Sequence, residues 1–208
     1  MRSLLVAAAV LGLAIAALAS SSVFAGPPPE SGPRDVKLII EALKKKPAMK
    51  GELASVRFLS EVLGETTLDV PVGSSPETLG PWSDNVALLR SELLIGVKAC
   101  GPLTPAELKA AGAILAEAQE TMPITLRAYT LGQQGKKKEA ADLFATFVDQ
   151  SFTGQCAREH PMNSYRRTTR MKFALKCLKA FAPERDVSAQ QKQLEAAELC
   201  AQNNHAVG

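Results

Sequence analysis

Two histidines and four cysteines are the side chains best equipped for chemistry in this chain. His160 lies four residues after Cys156, a Cys-x-x-x-His spacing that can offer a thiolate and a nitrogen to zinc. No second pair of ligands accompanies it, so no metal centre is expected. His205 sits near the C-terminal end, poorly placed to be held rigidly as a general acid or base. Gly-x-Ser-x-Gly, His-Glu-x-x-His and the phosphate-cradling glycine loops do not occur. Neither C-x-x-C nor C-x-x-C-H is present, which removes thioredoxin-like exchange and covalent haem; no cofactor is expected. The cysteines Cys100, Cys156, Cys177 and Cys200 form an even set, which in an exported chain reads as two disulfides.

A second kind of chemistry is electrostatic. The segment 164–181 carries Arg166, Arg167, Arg170, Lys172, Lys176 and Lys179 with no acid among them, while Phe173, Ala174, Cys177, Leu178 and Phe181 form an apolar stripe. Such a basic helix is either a solvated face or a docking surface for an anionic partner, an acidic protein segment or an anionic envelope polymer. Lys136, Lys137 and Lys138 are candidates to extend it, because they stand at a helix start, where the helix dipole disfavours positive charge. The whole chain is nearly balanced, with 24 basic and 21 acidic residues, which argues against nucleic-acid binding.

The elements that must position these groups follow an export leader. Arg2 precedes an uncharged apolar run over 4–18, and Ser20, Ser21 and Ser22 lead to Val23-Phe24-Ala25, an ending that fits signal-peptidase cleavage after Ala25. The run is short of the roughly 20 residues that span a bilayer, so no membrane span is expected after processing. Removing 1–25 takes away one basic residue and no acid, from a net charge of +3 to near +2. Residues 26–34 form a Pro-rich linker, and 35–203 are expected to make one helical domain, with 204–208 as a tail. Aromatic content of 5% against abundant Ala and Leu favours helix over sheet.

Helical spacing begins at Asp35 with Val36, Ile39, Ile40 and Leu43, and Pro47 stops it after three lysines. Leu53, Val56, Leu59 and Leu63 mark a second helix that ends near Gly64. Over 65–84 the pattern fails: Pro71, Gly73, Pro76, Gly80 and Pro81 interrupt it, while Leu68, Val70 and Val72 alternate as in a short extended piece. Trp82, the only tryptophan, is expected to cap the core there rather than mark a contact surface. Helices follow over 85–99, from the capping box Thr104-Pro105-Ala106-Glu107, from Pro123 to Gly135, over 136–150, over 164–181, and from Ser188 onward.

Gly101 and Gly135 are 34 residues apart, as are Ala106 and Ala140; Ala128 and Leu131 precede Gly135, and Ala140, Phe144 and Phe147 follow it. Over 87–154 this pattern resembles the tetratricopeptide repeat, a helix-turn-helix unit of that period. The resemblance implies helices held close by small residues, with large apolar ones between units. The fold class expected is all-α: antiparallel helical hairpins stacked as a short tetratricopeptide-like bundle of about seven helices. The function expected is a periplasmic or secreted, non-catalytic protein-interaction module that uses a groove or the basic helix. The alternative is a small enzyme or small-ligand carrier with a site beneath the 65–84 loop.

Four cysteines allow three pairings. If 164–181 and the last helix form an antiparallel hairpin turning near Pro183, Cys200 lies beside the start of its partner, where Cys156 enters; Cys177 lies about 12 residues, or roughly 18 Å, further along. Cys100 ends a helix on the side where Cys177 lies. The expected pairs are therefore Cys156 with Cys200 and Cys100 with Cys177. The leader reading has a direct test: N-terminal sequencing of exported protein should begin at Gly26, and recovery of intact Met1 in a membrane pellet would defeat it.

Overall fold

The computed structural model describes residues 31–71, 79–154, 156 and 160–205. The leader and the first part of the Pro-rich linker, 1–30, lie outside the described residues, as do 206–208. The all-α class holds, with eight α-helices among the described residues and a single two-stranded ribbon.

Asp35 opens helix α1 (Val36–Lys44): its side chain accepts from the Lys37 N–H at 2.8 Å. The residues just before it differ from the expected linker, because β1 (Ser31–Asp35) pairs antiparallel with β2 (Thr67–Pro71), Gly32 opposite Val70 and Arg34 opposite Leu68. Pro33 fits because each strand of a two-stranded ribbon is an edge, where a missing N–H is tolerated. Leu68 and Val70 face inward and Thr67 and Asp69 outward.

Helix α2 (Lys50–Arg57) runs into a π-helical turn over Phe58–Val62 and stops at Gly64, whose φ of 74° suits glycine. This segment separates two apolar cores. Leu59 and Val56 join Val36, Ile39, Leu43, Leu68 and Val70 in the smaller one, while Phe58 and Val62 enter the larger.

Helix α3 (Leu79–Val97) begins six residues before the expected 85. Gly80 and Pro81, expected to break the helical pattern, both fall in its first turn, where a proline's missing N–H has no intrahelical partner to lose. Of the segment expected to be irregular over 65–84, β2 takes Thr67–Pro71 and α3 begins at Leu79, while residues 72–78 lie outside the described residues. Trp82 packs, partly buried, on the smaller core, as the capping reading expected.

The remaining helices are α4 (Pro105–Ala118), α5 (Ile124–Gln133), α6 (Lys137–Ser151), α7 (Pro161–Phe181) and α8 (Ser188–His205). Thr104 makes the full capping box with Glu107. Helix α8 extends through His205, so 204–205 belong to the helix and not to a tail. From α5 to α8 each helix packs on the next; α3 lies against both α2 and α7, and α4 against α5 and the π-helical turn. Through the larger core runs a row of rings, Phe58 to Tyr129 to Phe181 to Phe144 to Phe173, with centroids 5.9 to 6.3 Å apart.

Both expected disulfides are present. Cys156 pairs with Cys200 and Cys100 with Cys177, each at a Cα separation of 5.3 Å. The second requires α3 to reach α7, which their direct packing supplies. The turn leaving α3 places Ala99 and Cys100 at φ of 54° and 57°, a left-handed conformation costly for two non-glycine residues in succession. It is held from α5: Tyr129 donates its hydroxyl to the Gly101 carbonyl at 2.9 Å, and Gln133 donates to the same oxygen at 3.0 Å while accepting from the Leu103 N–H at 3.1 Å.

Gly132 of α5 faces the Phe181 ring at the end of α7. A Cβ there would stand 2.6 Å from the Phe181 ring. Overpacking costs about 1–3 kcal/mol, whereas Ala gains only about 1 kcal/mol over Gly in a helix. Gly132→Ala is therefore expected to lower the Tm despite better helix propensity, and to do so less in a Phe181→Leu background. A Tm raised by Gly132→Ala in the wild-type background would show that Phe181 gives way freely.

Candidate functional site

Helix α7 starts three residues ahead of the expected Ser164. Pro161 takes its first position, and His160 caps it by accepting the Met162 N–H on Nδ1 at 3.2 Å. Cys156 is joined to Cys200. The Cys-x-x-x-His spacing thus resolves into a disulfide and a helix cap, and no group of three or more His, Cys, Asp or Glu among the described residues could hold a metal ion.

The six cations of α7 do not share one face. At about 100° per residue, Arg166, Arg167 and Arg170 turn to one side and Lys172, Lys176 and Lys179 to another. The arginines line a cleft of about 260 Å³ between α3, α6 and α7, with Leu88, Phe147 and Asn163 among its walls. Arg167 lies over the Phe152 ring at 5.7 Å and Arg170 over the Phe147 ring at 5.1 Å. The lysines are tethered elsewhere: Lys172 pairs with Glu198 of α8 at 2.6 Å, Lys176 donates to the Gly96 carbonyl, and Lys179 donates to Gln191 at 3.4 Å. Lys172 and Lys176 border a second groove of about 390 Å³ with Leu93, Val97 and Tyr165. Lys136, Lys137 and Lys138 do not join the arginines. The cleft uses Phe147 and Ser151 from the other end of α6, and ten residues of helix put Lys137 roughly 15 Å from Phe147.

Behind the cleft lies a polar cluster that was not anticipated from the sequence. Glu92 is fully buried; its Oε1 accepts from Thr125 Oγ1 at 2.6 Å and from Arg170 Nε at 3.2 Å, and its Oε2 has no hydrogen-bond partner among the described residues. Asp84, two turns earlier on α3, accepts from Ser55. Burial pushes both carboxyls above the usual range. Arg170, then Thr125, oppose it at Glu92, and Ser55 opposes it at Asp84, where Glu52 adds a further upward push. The readable sign was spacing: Asp84, Leu88 and Glu92 follow at intervals of four, with Ile95 beyond, so the acids sit on the inward stripe of α3.

Near the segment expected to cover an alternative ligand site, the described residues bound a cavity of about 420 Å³, lined mainly by Pro33, Leu38, Ile39, Ala42 and Leu79 with Arg34 and Asp35 at its edge.

The raised carboxyls fix the sign of a pH effect. The folded protein holds these two protons more tightly than the unfolded chain, so stability is greatest near the ordinary carboxylate range and falls as pH rises through the folded-state values. Exposed Glu41, Glu107 and Asp186 are held low, by hydrogen bonds with Lys44, Thr104 and Ser188 respectively, and act below that window. Tm should decline as pH rises from about 4.5 toward neutrality. Glu92→Gln should flatten the decline, and Glu92→Gln with Asp84→Asn should flatten it further; an unchanged slope in the double variant would refute the assignment.

No protein-family model matches the chain, and neither a curated protein nor a solved structure matches it. The functional reading therefore stands on the chemistry of the cleft.

Proposed function

We propose that this chain is an exported, non-catalytic interaction module that docks an acidic segment of a protein partner through the arginines of α7. The observation that carries the reading is the convergence of Arg166, Arg167 and Arg170 on one cleft. The planar guanidinium fork matches a carboxylate edge, and two of these forks are set over aromatic rings, which fixes their aim before a partner arrives. Lys172, Lys176 and Lys179, on the same helix without an intervening acid, extend the positive field and steer an approaching anionic segment.

Export is supported by the leader over 1–25 and by the two disulfides, which persist in oxidising compartments such as the periplasm or the exterior. Among the described residues no helix is long and apolar enough to cross a membrane. The tetratricopeptide-like reading of 87–154 rests on the pairing of α5 with α6 around Gly135, whose φ is 86°, and on the burial of Ala128, Ala140 and Phe144 between them and their neighbours.

The test uses polyglutamate as the acidic segment. Arg166→Gln with Arg167→Gln keeps Arg170 opposite Glu92, so the fold should be retained. Each lost contact is worth about 1 kcal/mol at a partly exposed site, and binding should weaken by about tenfold or more. Wild-type affinity should fall steeply as ionic strength rises. Affinity indifferent both to salt and to the two substitutions would reduce the cluster to a solvated surface.

A further inference from the structure

We infer that the arginine cleft is a site for a phosphomonoester group. The inference rests on the docking reading and narrows the anion recognised. Arg170 is fixed at two places, its Nε on Glu92 and its plane over Phe147, and its terminal nitrogens have no partner among the described residues. Arg166, one turn earlier, lines the same cleft and has no hydrogen bond or ion pair among the described residues. Two like charges four residues apart on a helix repel, and α7 contains no acid; Glu92 of α3 answers Arg170 alone.

Oxygen count decides which anion answers this arrangement. A carboxylate presents one two-oxygen edge and one charge, enough for a single fork. A phosphodiester has two free oxygens and one charge. A phosphomonoester has three terminal oxygens and nearly two charges, so it can face Arg166 and Arg170 together. The size agrees: about 260 Å³ is below the range of pockets for drug-sized ligands but ample for a phosphate with a short organic stem. Leu88 and Phe147 wall the cleft with apolar surface, which lowers the local dielectric and strengthens charge-assisted hydrogen bonds inside it. Asn163, three residues before Arg166 on the same side of α7, places an amide beside the same space.

The mature protein with both disulfides intact is titrated with glycerol phosphate, dimethyl phosphate and acetate at constant ionic strength, followed by calorimetry and by the arginine Nε signals in NMR. Parallel flotation uses phosphatidylcholine vesicles with and without phosphatidic acid, the same phosphomonoester carried on lipid. Saturable binding of glycerol phosphate at least tenfold tighter than of dimethyl phosphate or acetate, with shifts at Arg166 and Arg170, is the expected result. Arg166→Gln, which removes a group with no hydrogen bond or ion pair among the described residues, should weaken it by about tenfold, the equivalent of one charge-assisted contact. Arg170→Lys, which keeps the charge opposite Glu92 but loses the fork, should also weaken it.

Binding to phosphatidic acid vesicles alone, abolished by Arg166→Gln, would assign the same group to a lipid source. Equal affinity for dimethyl phosphate, or phosphate binding unaffected by Arg166→Gln, would overturn the inference. So would failure to bind glycerol phosphate and phosphatidic acid vesicles alike. If polyglutamate still binds in a salt-dependent way in that last case, the docking reading survives without the phosphate site; if it too fails, both fall.

Discussion

A carboxylate taken out of water must be answered by a positive charge or by a proton, and Glu92 imposes that demand on three helices. It sits fully buried on α3, takes a hydrogen bond from Thr125 on α5, and draws the Arg170 guanidinium of α7 inward. The cleft inherits its geometry from this arrangement. Arg170 could otherwise swing into solvent; held by Glu92 on one side and by the Phe147 ring on its face, it keeps its remaining donors at the cleft. The same contact reinforces the crossing of α3 over α7, which brings Cys100 within disulfide reach of Cys177. Site and fold therefore share one electrostatic anchor, and the pH dependence of stability and the aim of Arg170 have a common origin.

Around that anchor, packing is divided between two cores. The larger is threaded by the ring row from Phe58 to Phe173, which draws on α5, α6, α7 and the π-helical turn after α2. The smaller is closed by the ribbon, α1 and the outer face of α2. The π-helical turn sends Phe58 into the larger core and its neighbour Leu59 into the smaller. Consecutive residues thus serve opposite cores, while Glu61 in the same turn stays exposed.

What could be read ahead of the structure was whatever depends on near neighbours in the chain. The Thr104 capping box, the stop at Gly135 and the stripe Val36, Ile39, Ile40 and Leu43 are local, and each stands where the residues place it. The cysteine pairing was legible because a hairpin of helices has few ways to bring four fixed positions together. Legibility failed where the deciding partner is distant. Pro81 looked like a breaker until its place in a first turn was known, and Pro33 looked like linker until β2 lay beside it. The cations of α7 read as one face because none has an acid on its own helix, although helical spacing already turns the arginines and the lysines to different sides; what the sequence hides is their partners, Glu92, Glu198, Gly96 and Gln191, all on other elements. Glu92 itself was visible only as an acid out of place on an apolar stripe.

The two disulfides have a consequence for the connectedness of the chain. Cys100–Cys177 and Cys156–Cys200 close loops with sequence separations of 77 and 44 that overlap, each containing one cysteine of the other. A single break of the backbone anywhere between residues 100 and 200 leaves both pieces covalently joined, because every such cut is bridged by at least one sulfur pair. The part before Cys100, with β1, α1, α2, β2 and α3, has no such insurance: a cut there leaves whatever lies on its N-terminal side attached by non-covalent contact alone. The molecule thus consists of a covalent mesh that carries the arginine cleft on α7 and α6, and a detachable N-terminal portion that contributes the cleft's third wall.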